Sequence, residues 1–379
     1  MPKLPAIGQH GLRMTWARGA PRVCAALSGA VRGRPTEKGT LTPPPLLSLP
    51  QPRWLRGVAF AVLGVVLVLF VPASYVFDNG SHLEFGRALY HHRLDVIPFG
   101  IDTATAPDGR SYSPAAPGMG ALVAVGFTVV GEAMTHQALP VLAALFLIFV
   151  VADVAGLGLG VAALLVLVPP LQYYVHGLSD VSMSAALILC AATARSDRIA
   201  GLAAGFIPVF DYRLMPLTLV AFSARATVLP ALIGWAILAL YHTAAFGAPW
   251  RVAQQYVTAF PWSNTLWGMY GWWTPWQGLA EVLLATGISD PVRMRIGEPR
   301  YALLVVAPWL VLAPFGWWLV RSRRYVVALA LSAATAALLC THRTVIPRYL
   351  VPLVPLWIVP TLRVFRGRSR GEGARSVSV

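Results

Sequence analysis

The stretch VAFAVLGVVLVLFVPASYVFDNGSHLEFGRALYHHRLD, residues 58–95, decides the fold class. Residues 58–77 carry no charge. As a helix they would extend about 30 Å, which is the thickness of the hydrocarbon core of a bilayer. Asp78 follows at once, and Glu84 comes soon after it. The pattern predicts a transmembrane helix that leads directly to an acid at the edge of the lipid.

The composition of the whole chain favours several such helices. Of its 379 residues, 57% are hydrophobic and only 12% are charged, whereas soluble domains carry about 25% charged residues. We therefore predict an all-α polytopic membrane protein.

The net charge of +15 is explained by the predicted topology. Basic residues are concentrated near both ends of the chain and in short loops, and the positive-inside rule places such residues in the cytoplasm. The charge therefore does not indicate nucleic-acid binding. We expect residues 1–55 to be a disordered basic cytoplasmic N-terminus. Residues 56–362 would form the transmembrane domain, and 363–379 a basic cytoplasmic tail.

Apolar runs and basic flanks together predict about ten membrane crossings, with both termini in the cytoplasm. Outside the segment 199–223, the predicted helices after the first are 136–154, 157–175, 179–194, 228–246, 301–320, 325–341 and 346–362. Two long external loops, 77–135 and 247–300, interrupt the series. Within the first loop, 119–134 is predicted to be a juxtamembrane helix on the outer surface, and a full crossing is the alternative.

The stretch IAGLAAGFIPVFDYRLMPLTLVAFS, residues 199–223, has Asp211 and Arg213 at its centre. A single span would hold both charges in the middle of the bilayer, which is energetically costly. We predict instead two short helices that meet at the outer surface around these residues. Arg225 then lies on the inner side.

In this topology the polar side chains collect at the external face, where ionisable groups are candidate functional residues. A carboxylate at the lipid boundary can accept a proton from a hydroxyl group, and arginine can bind phosphate through two parallel hydrogen bonds. Together these chemistries indicate the transfer of a group from a lipid phosphate. For any single residue, the alternative is that it belongs to a solvated rim where the helices end. Besides Asp78 and Glu84, the candidates are His82, Asp108, Arg110, Tyr112, Asp180, Asp211, Tyr212, Arg213, His242, Arg348 and Tyr349.

No stretch of the sequence indicates a metal site. His91 and His92 lack partners at ligand spacing, and Asp78 and Glu84 are poorly spaced for direct chelation. The three cysteines form neither a disulfide framework nor a metal motif. A divalent metal ion is left open but is not indicated, and no other cofactor is expected.

Four stretches in a fixed order carry a family resemblance. They are Asp78 followed by LEFGRALYHHRLD (83–95), APDGRSYSPAAPGMGALVA (106–124), LYHTAAFGAPW (240–250) and RYLVPLVPLW (348–357). Each stretch is a weak motif alone, but their order and spacing resemble the membrane-embedded glycosyltransferases of the C superfamily (GT-C). The resemblance is to the branch of protein mannosyltransferases and aminoarabinose transferases.

The resemblance implies a glycosyltransferase with a polyprenyl-phosphate-linked sugar donor. Transfer to a glycan, lipid or protein acceptor would occur at the external face of the cytoplasmic membrane, with inversion at the sugar carbon. Asp78 takes the position of the catalytic aspartate, which is proposed as the general base. Asp180 matches a second external acid, and Glu84 is a further candidate for that role. Arg213 and Arg348 fall where the family holds the lipid phosphate.

Departures from the family pattern keep a second function open. Asn79 stands where the family often has glutamate, and His82 occupies an aromatic position. The alternative function is that of a non-catalytic membrane protein. It would be either a lipid-carrier transporter or a degenerate family member that acts as an assembly partner.

Overall fold

A computed structural model describes most of the chain and shows it to be mostly helical, as predicted. The described residues are 58, 62, 64, 78–98, 103–153, 158–174, 177–257, 270–288, 301–318, 320, 322–342 and 346–362. The predicted disordered segment 1–55, the predicted tail 363–379 and nearly all of the predicted first span lie outside these residues.

Long and short helices follow one another along the described chain. The α-helices are α1 (Asp78–Tyr90), α2 (Pro117–Val130), α3 (Glu132–Asp153), α4 (Leu159–Leu167), α5 (Val181–Thr193), α6 (Asp197–Phe210), α7 (Arg225–Phe246), α8 (Pro275–Leu284), α9 (Leu303–Val306), α10 (Ala313–Trp317), α11 (Arg323–Leu339) and α12 (354–362). The 3₁₀ helices are Leu171–Tyr174, Tyr212–Ser223, Ala253–Tyr256, Pro308–Leu312, Pro347–Tyr349 and Val351–Leu353. Strands β1 (Ala104–Thr105) and β2 (Ser111–Tyr112) pair antiparallel.

Two of the described helices, α3 and α7, are long and apolar enough to cross a membrane by length and composition. Helices α2 and α5 are apolar but shorter. The 13 residues of α5 extend about 20 Å, which is less than the roughly 30 Å of a hydrocarbon core. The helical class is confirmed, whereas the count of about ten crossings stays a prediction.

Prolines divide three stretches that were predicted as continuous helices. The helix predicted at 157–175 ends before Pro169, and the one predicted at 301–320 is broken by a 3₁₀ turn that begins at Pro308. In 346–362, two 3₁₀ turns that contain proline precede α12. Proline has no backbone N–H and its ring clashes with the preceding helical turn. The predicted lengths of these three helices are therefore wrong.

The predicted break of 199–223 into two segments at Asp211 is confirmed, whereas their meeting at the outer surface stays a prediction. Helix α6 stops before Asp211, whose backbone is extended, and the chain continues as the 3₁₀ helix Tyr212–Ser223. The second segment folds back on α6, because the hydroxyl of Thr218 donates to the carbonyl oxygen of Ala204 over 2.7 Å.

Successive helices fold back on one another, so that their connections lie at two opposite ends. At one end Asp180, just before α5, and Asp211, just after α6, both contact Arg213. At the other end Arg324, near the start of α11, pairs with Asp197 and donates to the Ala194 carbonyl oxygen over 2.8 Å. These are called the Arg213 end and the Arg324 end below.

The two predicted loops contain helices of their own. In the first loop, α1 packs along α2, where a methyl group at Gly120 would overlap the ring of Phe85. In the second loop lies α8, which the sequence analysis missed. The Thr274 hydroxyl accepts the N–H of Gln277, and the Gln277 side chain accepts the N–H of Thr274 in return. This capping box has a Thr-x-x-Gln signature that the sequence displays.

Helices α6 and α7 pack backbone against backbone. Methyl groups at Gly201 and Gly205 would overlap the carbonyl oxygens of Thr227 and Ala231, and one at Gly234 would overlap that of Gly205. Glycine at these positions therefore sets the distance between the two helices, as small residues do where apolar helices meet.

We expect Gly205→Ala to destabilise the protein by about 1–3 kcal/mol, because the added methyl group forces α6 and α7 apart. The matched control is Gly160→Ala, where an added methyl group meets nothing within 4 Å. That change should leave stability equal or slightly higher, since alanine favours a helix. Thermal unfolding of the detergent-purified variants measures both effects. Equal melting temperatures for the two variants would contradict the close packing.

Candidate functional site

Arg213 lies between two carboxylates at the Arg213 end. Its Nε and Nη2 atoms donate to the two carboxylate oxygens of Asp211 over 2.7 and 3.0 Å. Nη2 also donates to Asp180 over 3.1 Å. The exposed fractions of the Arg213, Asp180 and Asp211 side chains are 15%, 7% and 3%. Because these charges are largely withdrawn from water, they depend on one another for compensation.

Local structure explains why both carboxylates reach the same guanidinium. Asp211 sits at the break between two helical segments, and its side chain also accepts the backbone N–H of Arg213 over 3.0 Å, as aspartate commonly does in turns. Asp180 occupies the residue before α5 but makes no side-chain cap with that helix. Its carboxylate is directed to Arg213 instead. The side chain of Arg213 thus joins the start of α5 to the end of α6.

The Tyr349 ring brings the second predicted arginine into the cluster. Cζ of Arg213 lies 4.1 Å from the ring centroid, and Cζ of Arg348 lies 5.5 Å from it. Both distances are typical of cation–π contacts. His342 packs edge-on against Tyr349, with a centroid distance of 4.7 Å. The hydroxyl of Tyr270 donates to the carbonyl oxygen of Arg213 over 3.1 Å.

A path of rings connects this cluster with α1. The centroid distances are 5.3 Å from Tyr212 to His242, 5.7 Å from His242 to Tyr241, and 5.5 Å from Tyr241 to Phe85. Nδ1 of His242 lies 3.1 Å from the carbonyl oxygen of Pro249. The predicted lining residues Tyr212 and His242 therefore form the link between the ion cluster and the helix that begins at Asp78.

Asp78 is the first residue of α1, and its side chain lies outside the described part of the structure. The start of α1 is located by its neighbours. The hydroxyl of Ser113 donates to the carbonyl oxygen of Ser81 over 3.3 Å. A methyl group at Gly118 would lie 2.8 Å from the carbonyl oxygen of Val209, near the end of α6. The backbone of Asp78 is thus at the Arg213 end.

Glu84 and His82, which also belong to α1, have other surroundings. Glu84 pairs with Arg87, which in turn pairs with Glu132 and ties α1 to the start of α3. His82 is 1% exposed. Among the described residues no contact joins Glu84 to Arg213.

The remaining predicted residues lie in the hairpin of β1 and β2. Asp108 accepts the backbone N–H of Arg110 over 3.0 Å and the hydroxyl of Tyr112 over 3.5 Å. The Tyr112 ring lies 5.2 Å from that of Phe246 at the end of α7. The described contacts of Asp108 and Arg110 stay within this hairpin, so they do not join them to the ion cluster.

Tyr270 and His342 are cluster residues that the sequence analysis missed. Tyr270 falls among the many aromatic residues of 262–276, so the sequence does not distinguish it from its aromatic neighbours. His342 directly follows the helix predicted at 325–341. An ionisable residue at a helix exit is the same signal that drew attention to Asp78, and it would have identified this histidine.

The cluster offers donors to an anion more readily than ligands to a cation. Nη1 of Arg213 has no acceptor among the described residues. Over the same part of the chain, no group of three or more His, Cys, Asp or Glu side chains could hold a metal ion.

Comparison of the chain with protein-family models, curated proteins and solved structures finds no match.

We expect Arg213→Leu to destabilise the protein by about 3–5 kcal/mol, because it leaves Asp180 and Asp211 buried without a counter-charge. The control is Arg93→Leu, which removes the exposed partner of Asp95. Exposed ion pairs contribute little, so that variant should unfold at the wild-type temperature. The measurement is thermal unfolding in detergent. A wild-type melting temperature for Arg213→Leu would show that the cluster does not stabilise the fold.

Proposed function

We propose that this protein is a membrane-embedded glycosyltransferase of the GT-C type. It moves a sugar from a polyprenyl-phosphate donor to a glycan, lipid or protein acceptor. The observation that carries the proposal is the approach of Arg213 and Arg348 to one tyrosine ring, at the end where α1 begins. Guanidinium groups can bind the donor phosphate, and a carboxylate at Asp78 can receive the acceptor proton.

The proposed reaction is a single displacement at the sugar carbon. The oxygen of an acceptor hydroxyl forms a new bond to the anomeric carbon, while the bond from that carbon to the phosphate oxygen breaks. The phosphate oxygen keeps the electron pair and leaves as polyprenyl phosphate. Asp78 takes the hydroxyl proton as general base. Attack from the side opposite the phosphate inverts the configuration.

The two arginines have different proposed roles towards the phosphate. Asp180 and Asp211 engage Nε and Nη2 of Arg213 and thereby fix the plane of its guanidinium, which leaves Nη1 to contact a ligand. Arg348 supplies the second cation, held beside Tyr349. Fixed donors of this kind stabilise negative charge that develops on a leaving group.

The proposed topology places the Arg213 end outside the cell and the Arg324 end in the cytoplasm. The protein would be a multi-pass protein of the cytoplasmic membrane, with about ten crossings and both termini inside. One observation supports the membrane location, and a second supports the orientation. Helices α3 and α7 have the length and apolarity of membrane spans. The short connections at the Arg324 end are also rich in arginine, as the positive-inside rule expects of cytoplasmic loops: they contain Arg195, Arg198, Arg225, Arg323 and Arg324.

The ion cluster also favours a second candidate function. An arginine held by two carboxylates, as Arg213 is by Asp180 and Asp211, is typical of a structural ion pair. A degenerate family member that serves as an assembly partner, or a lipid-carrier transporter, would retain such a pair without sugar transfer. The measurement of turnover below distinguishes the two functions.

Asp78→Asn is expected to abolish sugar transfer while leaving the protein folded, because the amide cannot accept the hydroxyl proton. The matched control is Asp153→Asn at the end of α3, which should retain wild-type turnover. Release of polyprenyl phosphate from a radiolabelled lipid-linked sugar, with an extract of acceptors present, measures the rate. Equal turnover in both variants and the wild type would reject the base assignment. No turnover in the wild type would favour the non-catalytic function.

Arg348→Ala is expected to weaken binding of polyprenyl phosphate by about 10- to 100-fold, since a hydrogen bond to a charged group contributes about 1.5–3 kcal/mol. Arg348→Lys should fall between this variant and the wild type, because lysine keeps the charge but loses the bidentate geometry. Equilibrium binding of a fluorescent polyprenyl phosphate measures the three affinities. If alanine and lysine bind equally well, Arg348 does not hold the phosphate.

A further inference from the structure

A second polar site lies at the Arg324 end. It is an open pocket of about 370 Å³, and its wall includes Ser223, Ala224, Ser322, Arg323 and Arg324. Ser223 ends the 3₁₀ segment whose other end carries Arg213, and the rest of the wall belongs to the last residues of α5 and the starts of α7 and α11. The pocket is therefore separate from the ion cluster, at the opposite end of the same helices.

Hydrogen-bond donors in this pocket lack acceptors. The hydroxyl of Ser223 and Nε of Arg324 are buried atoms without a partner among the described residues. Arg323 makes no ion pair with any described acid. Buried polar atoms without partners are costly and uncommon in folded proteins. The wall of the pocket thus combines two buried donors that lack partners among the described residues with an exposed arginine, Arg323, that has no described acidic partner.

Two helix N-termini add to the positive potential of the pocket. Helix α7 starts after Ala224, which has no side chain that could cap the first N–H groups. Helix α11 starts after Ser322, whose hydroxyl accepts the N–H of Tyr325. Helix N-termini attract anions through their dipole and their free N–H groups.

Positively charged side chains outnumber negatively charged ones around the pocket in the described chain. Among the described residues, the acid that pairs with an arginine of the wall is Asp197, on Arg324. Arg195 directly follows the wall residue Ala194, and Arg225 directly follows the wall residue Ala224. An incoming anion would therefore not have to displace a protein carboxylate from Arg323.

We propose that this pocket binds a phosphate group. A tetrahedral phosphate offers several acceptor oxygens, and arginine contacts two of them in parallel. The volume of about 370 Å³ leaves room for the group to which the phosphate is attached. The phosphate can come from the headgroup of an anionic lipid or from a soluble phosphate compound. The site does not depend on the transfer reaction proposed above.

The first experiment uses inorganic phosphate and sulfate as probes of the full chain in neutral detergent. Both anions should raise the melting temperature above that in sodium chloride of equal ionic strength, because a ligand of the folded state stabilises it by mass action. Arg323→Gln should weaken phosphate binding by about tenfold or more. The matched control Arg198→Gln changes an exposed arginine outside the pocket wall and should bind phosphate as the wild type does.

A second variant keeps the fold while filling the site. Ala224 has extended backbone (φ −146°, ψ 145°), which is the conformation of an N-cap residue. Ala224→Asp should therefore cap α7 and raise the melting temperature, yet abolish the response to phosphate because its carboxylate occupies the donors. The proposal is overturned if phosphate gives no shift beyond chloride. It is also overturned if phosphate stabilises Ala224→Asp or Arg323→Gln as much as the wild type.

Lipid vesicles separate the two sources of phosphate. The protein is reconstituted in phosphatidylcholine alone or with phosphatidylglycerol. If anionic lipid raises the melting temperature and removes the further response to inorganic phosphate, the pocket binds a lipid headgroup. If the response to inorganic phosphate is the same in both vesicles, the pocket takes a soluble phosphate compound.

Discussion

The pairing of Arg213 with Asp180 and Asp211 is the constraint on which the Arg213 end depends. Charges that leave water keep their ionised form only where opposite charges and hydrogen bonds replace the solvent. The side chains are joined across 33 residues of sequence. The start of α5 and the break after α6 must therefore lie side by side, and Tyr349 and Tyr270 then close over the guanidinium and its backbone.

This constraint also explains why the polar groups divide between two ends. Asp211 and Arg213 interrupt an otherwise apolar stretch, so the chain turns there and the 3₁₀ segment returns along α6. The glycines between α6 and α7 then allow α7 to pack against α6 with the two backbones in contact. The return of the 3₁₀ segment places Arg225 at the Arg324 end, where Arg324 and Asp197 form a more exposed pair.

Sequence reasoning predicted the hairpin because a physical cost attaches to Asp211 and Arg213 in any single apolar span. It also predicted α5 and α7 closely, since charged or turn-forming residues limit both apolar runs. It could not predict that Arg213 selects Asp180, because composition shows that a residue is charged and not which opposite charge lies nearest in space. Helix α8 was missed although Thr274 and Gln277 signal its start, because the surrounding aromatic residues dominated the interpretation.

The two ends differ in what an anion would have to displace. At the Arg213 end two carboxylates already engage the guanidinium, so an anion there competes with Asp180 and Asp211 for Arg213 and gains its remaining donor, Nη1. Entry is then favourable only for a ligand that fits those donors and makes further contacts, which is a source of selectivity. At the Arg324 end Asp197 pairs with Arg324, and Arg323 has no acidic partner among the described residues. Attraction there is less selective, because charge alone suffices to draw in an anion. The same apolar helices thus support one end where buried carboxylates neutralise Arg213 and another where Arg323 has no acidic partner within the described chain.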